Sequence, residues 1–328
     1  MIPLVRARYS KNFIDVVREA GARTDRVFDD AGLTDEVLVD PDGLTTIWQL
    51  DEAVRSSAIR TGNIDIGWAA AEAAHWESYG AFGDNILSVP TLFERLNTFC
   101  LAALDEYSEA TFSVAPQPRG LEFRRGPIAG DKISARQTEL YALSLMLMTV
   151  RSVLGPSWHP DEIHLQTFHQ PETETYFDTS RTELRFDQPG TMILIDNRDV
   201  ARSLAVDERP DPEIGLFDIS RDTQMALAEV VNTHLGDQRL SLEFIARICD
   251  MQPRTLQRML ARRQTTFSEL LAQQRATAAM KWLKDSDMPI AELSCQLGYA
   301  HQAHFSRAFR RQTGLTPSAY RRTTADLS

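Results

Sequence analysis

Arginine and glutamine are side chains able to make paired hydrogen bonds to base edges in a DNA major groove, and the last third of this chain sets them at helical spacing twice. Arg254, Gln257 and Arg258 stand in one stretch; Gln302, Ser306, Arg307 and Arg310 stand in another. At 100° per residue, Arg254, Arg258 and Ala261 fall opposite the apolar stripe Leu256, Met259 and Leu260, with Gln257 and Arg262 on the flanks. In the second stretch Ala303, Arg307 and Arg310 oppose Phe305, Ala308 and Phe309, with Gln302 and Ser306 flanking. Arg262, Arg263, Arg310 and Arg311, at the far ends, suit phosphate contacts or complement the negative helix terminus. One such face taken alone reads better as a merely solvated basic helix. Two copies at fixed spacing favour a surface that reads DNA.

Each face needs elements to hold it. Ahead of the first, Leu242, Ile245, Ala246 and Cys249 share one side of a short helix opened by Ser241, a good N-cap. A tight turn at Asp250-Met251-Gln252 leads into a helix over about Pro253–Arg263, with proline suited to its first turn. Ahead of the second, Ile290, Leu293, Ser294 and Leu297 repeat that first helix 48 residues later, followed by Gly298-Tyr299-Ala300. Helix, tight turn, helix, at about 242–263 and again at about 290–311, is the layout of two helix-turn-helix units. A helix predicted over about Phe267–Lys284, with Leu270, Leu271, Ala278 and Leu283 for packing, separates them. At about 1.5 Å per residue it spans roughly 25 Å, a spacer that suits successive major grooves.

The charge distribution agrees. The 328 residues carry a net charge of −11, which taken whole argues against nucleic acid. Residues 221–328, however, hold 15 of the 35 basic and 10 of the 46 acidic residues, leaving 20 basic and 36 acidic in residues 1–220. An acidic body joined to a basic tail is what a polyanion-binding module carried by another domain shows. A hydrophobic content of 43% with 25% charged residues describes a globular protein with ample core. No apolar run is long enough to span a bilayer, the N-terminus lacks a secretory layout, and three scattered cysteines (Cys100, Cys249, Cys295) fit a reducing cytoplasm. All three read as small buried apolar residues.

Length suits two domains. The clearest linker is Asp207–Pro212, which sets an N-terminal domain over 1–208, a linker over 209–216 and a DNA-binding domain over 217–328. The N-terminal part reads as α+β. Helices are expected over Ser10–Ala20, Ile47–Arg60, Thr91–Leu104 and Ala135–Leu154. Strands are expected over Ala110–Ala115, Leu121–Arg124, Ile163–Phe168, Glu183–Phe186 and Met192–Ile195. The tail reads as all-α. The helix over Ala135–Leu154 is apolar nearly all round, so it is either fully buried or half of a dimer interface.

With these residues in view, the tail from about Arg221 to Arg322 resembles the DNA-binding domain of the AraC/XylS family of transcription regulators. The first unit carries Ile245-Ala246, Met251 and Pro253–Leu260; the second carries Ile290–Leu293, Leu297-Gly298-Tyr299, His304–Arg311 and Thr313–Arg321. The resemblance implies that Arg254, Gln257 and Arg258 read one groove and Gln302, Ser306 and Arg307 the next. It also implies a regulator, most often an activator, that works with RNA polymerase. Departures are Asp250 in place of the usual turn glycine, Gln252 and Ala300 where a capping serine is common, Ala303 for a frequent serine, and Ser294 for alanine. More loosely, His164-Leu165, Phe168–Pro171, Tyr176-Phe177, Leu184–Pro189 and Ile193–Leu204 resemble the arabinose-binding-like regulatory domain of the same family. That implies sensing of an unidentified small-molecule effector, or homodimerisation.

Other chemistry is poorly supported. His159, His164 and His169 lie five apart on a strand-like segment, a spacing that does not converge three rings on a metal. No phosphate-cradling loop or Gly-x-Ser-x-Gly elbow appears, which argues against an enzyme, and no cofactor is expected. Trp48, Trp68 and Trp76 suit either an effector pocket or core packing.

Overall fold

The computed structural model describes residues 2–203 and 223–325. The expected linker over 209–216, and the domain boundary with it, lies outside the described residues.

The chain opens with β1 (Leu4–Arg6) and α1 (Ala7–Glu19), then α2 (Asp25–Ala31), α3 (Asp35–Val39) and β2 (Leu44–Thr46). Helices α4 (Ile47–Thr61), α5 (Ile66–Glu72), α6 (Ala81–Ser88) and α7 (Leu92–Glu106) follow, with a 3-10 turn over Trp76–Tyr79. The hairpin of β3 (Phe112–Gln117) and β4 (Gly120–Arg125) precedes α8 (Lys132–Leu154). The domain closes with β5 (Glu162–His164), α9 (Pro171–Glu174), β6 (Glu183–Arg185), β7 (Thr191–Asp196) and α10 (Asn197–Ser203). Sheet order is β3-β4-β7-β5-β6, antiparallel except for the β5–β6 pair. Packed helices and this sheet make an α+β domain.

The alternative left open for the expected helix over Ala135–Leu154 is now resolved. Helix α8 packs against α4, α5, α7 and β7, and Leu140, Leu143, Met146, Leu147 and Val150 are buried with Phe123, Ile163, Ile193 and Ile195 of the sheet. Having a partner on each side explains its lack of a polar face. Residue 67 is glycine because α5 lies directly on α8: a Cβ there would sit 2.0 Å from the Gln137 carbonyl oxygen. Trp68 and Trp76 belong to the same core, Trp68 stacking on Tyr176 at 4.7 Å.

Helices α11 (Thr223–Thr233), α12 (Leu242–Ile248), α13 (Pro253–Arg262), α14 (Phe267–Asp285), α15 (Ile290–Gln296), α16 (Gln302–Thr313) and α17 (Pro317–Ala325) form the tail, which has no strand among its described residues. Helix α14 connects the two units in the chain and packs against α11, α16 and α17. Capping boxes start α4 (Thr46, Gln49), α7 (Thr91, Glu94) and α14 (Thr266, Glu269), each satisfying two orphan backbone donors.

The ribbon of β1 and β2 belongs to both cores. Successive side chains of a strand point to opposite faces, so Val5 joins the N-terminal core while Leu4, with Ile2, joins the core of the tail.

Candidate nucleic-acid interface

Each recognition face is built by burying the opposite side of its helix. Leu256 and Leu260 of α13 are buried and Met259 is half-buried, which turns Arg254, Gln257, Arg258, Ala261 and Arg262 to solvent. Phe305 and Phe309 of α16 are buried and Ala308 is half-buried, leaving Gln302, Ala303, Arg307 and Arg310 exposed; Ser306 is half-buried. No carboxylate of another described residue lies within 4.0 Å of Arg254, Arg258, Arg262, Arg307 or Arg310. Exposed guanidinium groups without such a counter-charge keep their field for a polyanion.

The turns of the two units solve one problem differently. Both need a residue in the left-handed region. Asp250 takes φ 51° in the first, a conformation aspartate tolerates better than most residues. Gly298 takes φ 72° in the second, where a Cβ would also lie 2.7 Å from the Leu235 carbonyl oxygen. Tyr299 then sits under the Arg275 guanidinium at 4.6 Å, and Arg275 Nη2 donates to the Gly298 carbonyl at 3.2 Å.

Caps differ from expectation at one point. Ser241 accepts from the Phe244 backbone N–H at 3.1 Å, and Gln252 is an N-cap without a side-chain bond. The residue that starts α16 is His301, not Ala300; it too makes no side-chain cap. The cysteines also differ: Cys249 is buried, Cys100 is half-buried and Cys295 is exposed on the solvent side of α15. His164 and His169 bond to Glu162 and Glu174, each at 2.7 Å.

Sequence reasoning missed a second site, the joint between the first unit and the N-terminal domain. The Thr46 hydroxyl accepts from Gln49 N–H at 3.2 Å while donating to the carbonyl that ends α12, Ile248 O. Gln49 Nε2 donates to Gly32 O at 3.0 Å and lies 3.3 Å from His234 Nε2. One capping box therefore starts α4 and also grips the tail. Gly32, in the left-handed region at φ 65°, packs tightly against α12: a Cβ there would lie 3.0 Å from Ile248 Cγ2. Arg239 Nη2 donates to Leu33 O at 3.0 Å, Thr233 Oγ1 to Leu44 O at 2.9 Å, and Arg247 lies over Trp48 at 5.8 Å. Trp48 is thus a joint residue.

His234 is 1% exposed there, and burial pushes its imidazole down to about 4. As the neutral ring it can accept from Gln49 through Nε2, which places the proton on Nδ1, 3.9 Å from Asp237 Oδ2. Single polar side chains and one tryptophan from several elements carry this joint, so no periodic pattern announced it.

Comparison with known proteins agrees with both halves. A family model described as a helix-turn-helix domain matches residues 245–323, and one described as the arabinose-binding domain of AraC transcription regulators, N-terminal, matches residues 21–204. The ornithine utilization regulator of Pseudomonas aeruginosa is 22% identical, with 97% of this chain and 96% of that protein covered. Regulatory protein SoxS of Salmonella typhimurium is 35% identical over 29% of this chain and 89% of its own length. Among solved structures, the transcriptional regulator CdpR of Pseudomonas aeruginosa aligns over 78% of this chain and 86% of its own, at 18% identity and a TM-score of 0.34.

Proposed function

The chain belongs to the AraC family of DNA-binding transcription regulators, and from that premise we propose that it activates transcription under the control of a small molecule bound by its N-terminal domain. In this reading Arg254, Gln257, Arg258 and Arg262 engage one major groove, and Gln302, Ser306, Arg307 and Arg310 the next. Its partners are duplex DNA, RNA polymerase, the effector and a second copy of the chain, and it works in the cytoplasm. Among the described residues, no helix is long and apolar enough to cross a membrane.

The observation that carries the proposal is the repeat itself: two helices with an arginine-bearing exposed side and a buried apolar side, in units joined through α14. Control by an effector is supported by the joint, since the same Thr46 and Gln49 that start a helix of the N-terminal domain touch α12 and His234. Titration of wild-type, Arg258→Ala and Arg307→Ala proteins against target DNA tests the groove assignment. Each substitution is expected to weaken specific binding by roughly 1–3 kcal/mol. Wild-type affinity in both variants would refute it.

A further inference from the structure

Strand β4 breaks its own pattern at its last residue. Leu121 and Phe123 point inward and are buried, and two residues on, where a third apolar side chain belongs, stands Arg125, only 5% exposed. A guanidinium cannot shed its charge at ordinary pH, and buried charges in folded proteins are nearly always paired. This one is not. Its Nη1 is buried without a hydrogen-bond partner, and no carboxylate of a described residue lies within 4.0 Å.

The neighbouring acids do not fill the gap. Glu139 is committed elsewhere: its carboxylate accepts from the Gln166 and Thr167 backbone N–H groups at 2.5 and 2.9 Å and from Thr191 Oγ1 at 2.7 Å. Burial and the acids around it push the Asp51 carboxyl up to about 7, leaving it a weak counter-charge at neutral pH. Glu106 is held between Arg6 and Arg8 at 3.8 and 3.6 Å. The ring of Phe112, 5.8 Å away, is the neighbour that faces the cation.

Arg125 lines a cavity of about 60 Å³. By the volume one water requires, that is room for roughly five waters, or a compact organic molecule of similar size. The rest of the wall is largely apolar and aromatic, including Phe13, Phe82, Phe99 and Leu145; its other polar residues are Tyr9, Tyr107, Thr138, Tyr141 and Glu106, whose buried Oε2 carries no hydrogen bond. An apolar chamber with one unpaired guanidinium has the chemistry of a receptor for a small acid: the carboxylate pairs with the arginine and the apolar body displaces water from the rings.

We propose that the effector of this regulator is a small monocarboxylate with a short apolar body, bound in this cavity with its carboxylate on Arg125. The inference rests on the effector reading above and specifies its site and ligand class. It also predicts a trade-off, because an uncompensated buried charge weakens the unliganded fold.

Thermal unfolding of the full chain is measured with propionate, with its neutral isostere propionamide, and with n-butylamine. Propionate is expected to raise the midpoint progressively with concentration, and the other two are not. Arg125→Met is expected to raise the midpoint without ligand and to lose at least tenfold in propionate affinity; Arg125→Lys, which keeps the charge, retains part of the response. A circular-dichroism spectrum and DNA affinity like the wild type show that the variants are folded. Equal shifts from acid and amide, no shift from propionate, or an undiminished response in Arg125→Met would each overturn the proposal. Propionate binding that depends on Arg125 but leaves DNA affinity unchanged would uphold the site and instead sink effector control.

Discussion

The two helix-turn-helix units carry similar faces in unlike surroundings. In the first, α12 is enclosed: Phe244, Ile245, Ala246 and Ile248 are buried, and its last carbonyl is bonded to Thr46 of the N-terminal domain. In the second, Leu293 and Ser294 of α15 are buried while Ala291, Glu292, Cys295 and Gln296 face water. A packed joint transmits displacement and a solvated surface does not. A shift in the N-terminal domain therefore reaches α12 directly and reaches the second unit by way of α11, α14 and the close approach of Leu235 to Gly298.

The units can be set against each other by substitution. The largest effect is expected from Gly298→Ala, which forces a Cβ against the Leu235 carbonyl and keeps a positive φ. A loss of on the order of 3 kcal/mol is expected in urea unfolding. A loss well under 1 kcal/mol would mean that the second turn is looser than the first.

The joint has a pH signature of similar size. His234 sits well below the ordinary imidazole value of 6.5, at about 4. The unfolded chain therefore binds its proton first as pH falls, so the stability from the neutral ring is present above pH 6.5 and is lost between 6.5 and 4. The linkage amounts to about 3 kcal/mol. Urea midpoints between pH 7 and 4 should show it, and a His234→Asn variant should lose that part of the dependence. An unchanged profile would remove His234 from the joint.

Thr46→Val deletes the hydroxyl that caps α4 and donates to Ile248 O, and is expected to cost about 1 kcal/mol. If the first unit alone is coupled to the N-terminal domain, its hydrogen exchange should quicken in α12 before α15. The smallest effect, of opposite sign to Gly298→Ala, is expected from Asp250→Gly: relief of the left-handed strain at φ 51° should gain up to about 1 kcal/mol.

Much of the tail was legible because its signal is periodic. The apolar stripes at Leu256–Leu260 and Phe305–Phe309 put the arginines on the outside, and that is where they stand. Residue chemistry was legible too, in the left-handed Asp250 and the capping Ser241. The N-terminal helices and strands that were expected stand within a few residues of their places, as with Ile47–Arg60 against α4, but the short helices α2, α3, α5, α6, α9 and α10 were not anticipated. What failed was short or aperiodic. Strands β1 and β2 have three residues each, too few to show alternation. The expected strand Leu121–Arg124 stops one residue before Arg125, because an arginine on the inward face looks like the end of a strand. Core packing, one of the two readings of the tryptophans, holds for Trp68 and Trp76, and the cavity is walled instead by phenylalanines and tyrosines scattered over five elements and neighbouring loops, which only the fold brings together.

Selection of target sites from random duplexes, followed by base-by-base substitution, tests the paired reading most directly. The account predicts two half-sites about one helical turn, roughly 10 base pairs, apart. Arg258→Ala should relax specificity in one and Arg307→Ala in the other. Five base pairs inserted between them should cost as much affinity as removing one unit. A single half-site affected by both variants, or indifference to the insertion, would contradict it.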